Sequence, residues 1–150
     1  MSELRELYQE LIVDHSKRPR NFGKLAGANC QATGYNPLCG DKITVYLRVE
    51  NGVVREIGFD GIGCAISTAS ASMMTERFKS LSQEEAEALF EMFRKMVTGK
   101  EVSEADLRRL GKLSAFSGVK EFPVRVKCAT LPWHTFRAAL RGAEELVSTE

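Results

Sequence analysis

The chain has no long hydrophobic run, no excess of either charge and only two histidines in 150 residues. Each shortage narrows the reading. The longest charge-free stretch, Gly61 to Thr75, is too short and too rich in serine and threonine to cross a bilayer, which takes about 20 apolar residues. The first residues, Met1-Ser2-Glu3-Leu4-Arg5-Glu6, lack the basic and then apolar pattern of a secretory signal. A cytoplasmic protein with no membrane partner is therefore expected. The net charge of +1 gives no basic excess for nucleic acid, and Lys17-Arg18-Pro19-Arg20 reads as a solvated helix end. Internal repeats, low-complexity tracts and linkers are absent, so residues 1–150 are expected to form a single domain. Ser67, Ser70 and Ser72 have no histidine or acid near them in sequence, which favours packing over nucleophilic roles.

What is present is a globular composition, 43% hydrophobic and 27% charged, large enough for one core without disulfides. It also contains four cysteines. In a reducing compartment, four thiols in a chain of this size point to metal or redox chemistry more than to a disulfide framework.

The periodicities predict an α+β fold, with a small antiparallel sheet and helices packed on one face. Leu4, Leu7, Tyr8, Leu11 and Ile12 form the apolar stripe of a first helix that Pro19 ends near Lys17. His15 falls in its last turn, where it is expected to face solvent or the helix dipole. Cys30 to Tyr35 reads as a short strand, with Cys30 a packed strand residue. Ile43, Val45, Leu47 and Val49 alternate with polar residues, Asn51-Gly52 signals a tight hairpin, and Val53 to Phe59 returns. Gly61-Ile62-Gly63 is read as the turn into a helix over Ala65 to Lys79, where Met73 and Met74 are core residues. Ser82-Gln83-Glu84-Glu85 is a capping box that opens a helix through Met96. A short helix follows from Ser103, then a less regular stretch over Lys112 to Val119. Pro123 suits a first helical position, which places Cys128 on a helix. Pro132 is expected to break or restart that helix, and a last helix is expected through Phe136, Ala139, Leu140 and Leu146. Trp133 reads as a packing residue and His134 as a surface residue.

The hairpin carries a consequence for chemistry. Cys39 and Asp41 flank Gly40 at the start of one strand, in Asn36-Pro37-Leu38-Cys39-Gly40-Asp41, and Cys64 lies just past the end of its partner. Antiparallel pairing brings these ends together and is expected to make Cys39 and Cys64 neighbours in space. Cys128 completes a candidate set of three thiols and a carboxylate, a donor set that zinc accepts. The paired CxxC spacing of a zinc ribbon is missing, so a folded domain has to assemble the site. Three thiolates and a carboxylate would leave a Zn²⁺ site near −2, which Arg125 and Lys127, beside Cys128, could offset. Cys64 at a helix N-terminus and Cys128 beside cations each have a reason to ionise. Cys39, in a glycine-flanked loop, is the accessible thiol and the choice of sulfur acceptor. Inert buried cysteines and a disulfide remain alternatives at this level.

Pro37-Leu38-Cys39-Gly40-Asp41, Gly61-Ile62-Gly63-Cys64-Ala65-Ile66-Ser67 and Val126-Lys127-Cys128-Ala129 resemble the three cysteine motifs of the U-type iron–sulfur cluster assembly proteins. The N-terminal Leu7-Tyr8, Val13-Asp14-His15 and Pro19-Arg20-Asn21 also fit. Within this IscU/NifU N-terminal family the chain is most similar to the SufU branch. It has a long stretch between Cys64 and Cys128, and Lys127 stands where the IscU branch has a histidine. The resemblance implies a SufE/NifU-like fold and a Zn²⁺ site of Cys39, Asp41, Cys64 and Cys128. It also implies a pyridoxal-phosphate cysteine desulfurase (SufS-like) as partner, one that supplies a histidine to the zinc and frees Cys39 to take persulfide sulfur. Downstream iron–sulfur assembly proteins would be the recipients, and Arg125 and Lys127 would steady the site or guide docking. The alternative within the family is a scaffold that assembles and transfers a transient [2Fe–2S] cluster on the same ligands.

Overall fold

The computed structural model describes residues 2–142 and 147–148. In chain order the elements are α1 (Ser2–Lys17), β1 (Cys30–Asn36), β2 (Asp41–Glu50), β3 (Val53–Ile62), α2 (Ala65–Phe78), α3 (Gln83–Val97) and α4 (Glu104–Leu110). A 3-10 stretch (Gly111–Glu121), α5 (Pro123–Leu140) and β4 (Val147–Ser148) follow.

β1, β2 and β3 form the expected antiparallel meander, with Asn36 opposite Asp41 and Lys42 opposite Ile62. The β2–β3 hairpin closes through Asn51 and Gly52, both at positive φ (52° and 74°), as an Asn-Gly turn requires. β4 adds a two-residue strand parallel to β1, Gly34 opposite Val147, which the sequence reading did not foresee. The expected last helix ends at Leu140, and Leu146 lies outside the described residues.

Three other expectations change. β3 runs on to Ile62, so Gly61 and Ile62 belong to the sheet instead of a turn, and only Gly63 and Cys64 lead into α2. Gly61 can pair there because it has φ 129° and no side chain: a Cβ would stand 2.0 Å from the Lys42 carbonyl oxygen. Pro132 does not break the helix. α5 passes through it at the cost of the hydrogen bond to the Cys128 carbonyl four residues back, and its packing against β1, β2 and α2 holds the helix together. His15 is buried, not solvated. It lies four residues after Leu11 and three after Ile12, on the apolar face of α1, and its Nδ1 is 2.7 Å from Ser72 Oγ on α2.

The core lies between the helix layer and one face of the sheet. Ile43, Val45, Leu47, Ile57 and Phe59 point from the sheet into it. Trp133 is fully buried on α5, stacked on Phe93 at 4.0 Å and edge-on to Phe78 at 5.0 Å. His134, expected at the surface, is half-buried with its ring edge-on to Phe90. Cys30 is half-buried against this core, as expected of a packed strand residue. Among the described residues, no helix is long and apolar enough to cross a membrane.

Candidate metal and sulfur centre

Three segments meet at one end of the sheet. The first is the turn between β1 and β2. Asn36 starts it: its carbonyl accepts from Cys39 N–H (3.3 Å) and Gly40 N–H (2.9 Å), and its Oδ1 accepts from Leu38 N–H (3.2 Å). Gly40, at φ 72°, turns the chain back into β2. Cys39 is left exposed on the outside of the turn, while Asp41, the first residue of β2, is 1% exposed.

The second segment is the entry to α2. Cys64 is its N-cap, in extended backbone, and its Sγ accepts from Ser67 N–H at 3.5 Å. Asp41 reaches across from β2: Oδ1 accepts from Cys64 N–H (2.8 Å) and Oδ2 lies 3.5 Å from Cys64 Sγ. The hairpin register therefore brings Asp41 to Cys64, whereas Cys39, expected to neighbour Cys64, has its sulfur against Cys128 instead. Gly63 makes the approach possible, since a Cβ there would be 2.4 Å from Ser67 Oγ.

The last segment is α5, which lies against β1 and β2 and brings in Cys128, 2% exposed. Cys128 Sγ is 3.2 Å from Cys39 Sγ and 3.7 Å from Asn36 Nδ2, which donates to it. The donor atoms of Cys39, Asp41 and Cys128 all lie within 4.8 Å of one another; Cys64 is not a member of that group and meets it only through Asp41. All four cysteines are free thiols.

The electrostatics divide the thiols. The neighbouring Cys128 thiol, then the Ser67 amide and hydroxyl at the start of α2, hold the Cys64 thiol down, to about 6, against burial. The neighbouring Cys64, together with burial and the contact with Cys39, pushes the Cys128 thiol up.

Arg125 and Lys127 do not neutralise this group. Arg125 is exposed and lies over the Phe122 ring at 4.4 Å, and neither residue forms an ion pair among the described residues. Asp41 likewise takes part in none of the ion pairs there, although it is buried beside the Cys64 sulfur. Buried carboxylates are ordinarily paired or bound to metal. A pocket of soft sulfur donors and one carboxylate, without a cation of its own, fits a divalent metal. Tetrahedral zinc with these ligands would have edges of roughly 3.8 Å between sulfurs and 3.6 Å between sulfur and oxygen. The observed 3.5 Å from Cys64 to Asp41 is close to the second of these, while the 3.2 Å from Cys39 to Cys128 is shorter than the first.

With that geometry in view, the sequence matches the NifU-like N terminal domain over residues 7–129. The chain belongs to this family. It is 42% identical over 143 residues, 95% of each chain, to a Bacillus subtilis protein named zinc-dependent sulfurtransferase SufU. It is 40% identical over 141 residues, 94% of this chain and 87% of the relative, to a Streptococcus pyogenes protein named iron–sulfur cluster assembly scaffold protein IscU. A crystal structure from Fervidobacterium islandicum, described as a putative iron–sulfur cluster assembly scaffold protein for the SUF system, superposes with a TM-score of 0.82. It is 37% identical and covers 91% of this chain and 98% of that one. The fold and the family expected from the three cysteine motifs are those observed.

Two contributors at the centre escaped the sequence reading. Ser67 was a packing residue there, yet its amide and hydroxyl both meet Cys64. The signal was available, since an N-cap side chain accepts from the third residue beyond it. Asn36 was named as the start of the cysteine loop without a role, and nothing in its spacing from Cys128 announces the contact between them.

Proposed function

We propose that this single domain is a zinc-dependent sulfur acceptor of iron–sulfur cluster assembly, taking persulfide sulfur through Cys39. One observation carries the reading: a single exposed thiol, Cys39, stands beside a buried thiol, a half-buried thiol and a buried carboxylate that has no ion-pair partner among the described residues. Asp41, Cys64 and Cys128, with Cys39, are the residues that would hold zinc, and Zn²⁺ when bound would keep its sulfur ligands deprotonated and exchangeable. Cys39 is the mobile member, because a turn and not a helix or strand carries it. Its thiolate attacks the outer sulfur of a donor persulfide: a new sulfur–sulfur bond forms on Cys39, the donor's bond breaks, and the donor leaves as thiolate. No net oxidant is needed.

A cysteine desulfurase of the pyridoxal-phosphate class is the donor this chemistry calls for, and a cytoplasmic iron–sulfur assembly protein is the recipient. The surface supports docking of a macromolecular donor. Leu38 (60% exposed) adjoins Cys39, Ile62 (80%) precedes Cys64 by two residues, and Phe122 and Val124 precede Cys128 on the face that also carries Arg125. Four large apolar side chains left in water beside three site cysteines suit a partner surface. Arg125 and Lys127 sit beside that surface and are assigned to docking.

The names of the Streptococcus and Fervidobacterium relatives favour a second reading, in which the same four groups hold a [2Fe–2S] cluster as cargo. Anaerobic isolation from native cells, with assay of zinc, iron and acid-labile sulfide, separates the two. About one zinc per chain and no sulfide, followed by persulfide on Cys39 after exposure to a desulfurase and cysteine, is the expected result. Iron and sulfide in comparable amounts would replace the first reading with the second. Asp41→Ala is expected to lose both zinc and sulfur acceptance, and full retention of both would remove Asp41 from the ligand set.

A further inference from the structure

Asn36 is fully buried at the end of β1, and it touches both the turn that presents the exposed thiol and the innermost thiol. Its backbone carbonyl and Oδ1 accept three amides of the turn, those of Leu38, Cys39 and Gly40. Its Nδ2 donates toward Cys128 Sγ at 3.7 Å. The two ends of this carboxamide thus meet two different elements. Each end has a distinct chemical task, acceptor toward the turn and donor toward sulfur.

Cys128 is almost sealed from water, and its other close sulfur neighbour is Cys39 at 3.2 Å. Sulfur transfer requires Cys39 to face outward. Cys128 then loses that neighbour with no water to replace it, while the amide of Asn36 stays. We propose that Asn36 is a positioning residue for sulfur transfer: its N–H anchors Cys128 Sγ and its oxygens brace the turn, so that Cys39 moves while the rest of the centre stays in place. The inference rests on reading Cys39 as the acceptor and Asp41, Cys64 and Cys128 as zinc donors. Outer partners that orient a metal ligand commonly change metal affinity about 10–100-fold when removed.

Two substitutions separate the tasks. Asn36→Asp keeps an acceptor for Leu38 N–H and removes the donor to sulfur, whereas Asn36→Ala removes both. If Asn36→Asp fails to fold, Asn36→Ser, with its shorter hydroxyl, takes its place. Each protein is loaded with Co²⁺, and three quantities are read: the thiolate-to-cobalt charge-transfer band, the rate of Co²⁺ loss to a chelator, and the timed iodoacetamide labelling of each cysteine in the metal-free protein. Thermal melts by circular dichroism accompany them. Both variants are expected to melt cooperatively, to show an altered charge-transfer band, to lose Co²⁺ about 10-fold faster or more, and to expose Cys128 to labelling sooner than the wild type. Persulfide transfer to Cys39 is expected to fall further in Asn36→Ala, where the turn is also freed. A wild-type charge-transfer band with variants identical to it in band, release rate and Cys128 labelling would overturn the role of Asn36 and leave the zinc reading intact. A wild type without the band would overturn the zinc reading instead. The labelling of Cys128 would then decide Asn36 alone, and equal rates would sink it.

Discussion

Gly34 is a point at which the sheet and the cysteine-bearing helix approach closely. It lies two residues before Asn36, under the stretch of α5 that follows Cys128. A Cβ at Gly34 would fall 2.0 Å from Thr135 Oγ1, 2.9 Å from Leu131 Cδ1 and 3.3 Å from Thr135 Cβ. Its φ is not in the left-handed region, so the demand is for space alone. Gly34→Ala should gain about 0.4–1 kcal/mol by stiffening the unfolded chain. Against this stands an overpacking cost of typically 1–3 kcal/mol in a close-packed interior. The cost wins, because the nearest obstacle is not a free side-chain tip: Thr135 Oγ1 is held at 2.7 Å by the Leu131 carbonyl inside the helix. A net loss of about 1–2 kcal/mol corresponds to roughly 2–8 °C in Tm for a chain of this size. The relief available is for α5 to lift from β1, which would draw Cys128 away from Asn36 and Cys39.

A double-mutant cycle in urea tests this directly. Thr135→Ala removes the obstructing oxygen and leaves only the flexible end of Leu131 in the way. Gly34→Ala combined with Thr135→Ala should therefore be at least about 1 kcal/mol more stable than the sum of the single effects. Additivity within about 0.5 kcal/mol would refute the claim that this contact sets the spacing between sheet and helix.

Two further outcomes are expected. Gly61→Ala should destabilise by more than Gly34→Ala and weaken Co²⁺ binding, because its Cβ meets the Lys42 backbone carbonyl, which cannot rotate away, at a φ that L residues avoid. A urea midpoint within error of the wild type would contradict this. His15 is held below its usual range by burial first and by Arg20 next, with Lys112 adding to the effect and Glu76 and Asp14 opposing it. The unfolded chain therefore takes up this proton before the folded one. Stability is full above the unfolded value near about 6.5 and is lost as pH falls through it. Urea titrations between pH 7 and 5 should show a shallower pH dependence for His15→Gln, and an unchanged slope would exclude His15 as a contributor.

The sequence made the hairpin and its consequence for Asp41 and Cys64 legible, because alternation from Ile43 to Val49 and the Asn51-Gly52 turn leave few possible registers. Helix ends marked by Pro19, by the Ser82 capping box and by Pro123 were equally visible. The placements that failed share one cause, which is that tertiary packing overrides a local signal. His15 looked like a polar residue at a helix end, yet its spacing from Leu11 puts it on the buried face. Pro132 looked like a break, yet packing around α5 carries the helix through it. The bond between Asn36 and Cys128 spans 92 residues, and no local pattern encodes it.

The charge of the centre is the part of its chemistry that side chains alone do not balance. Positive flanking residues in sequence suggested a neutralising pair, but in a helix Lys127 is rotated about 100° from Cys128, and Arg125 covers Phe122. What remains inside is a carboxylate that is 1% exposed, held by one backbone amide and set 3.5 Å from a sulfur that prefers to be anionic. In a protein interior such an arrangement is unfavourable without a cation. The glycines at 34, 61 and 63 nevertheless permit the close approaches that bring these groups together. The proposed divalent metal would supply that cation, and Cys39, the one exposed thiol of the centre, is then the ligand such a site would release.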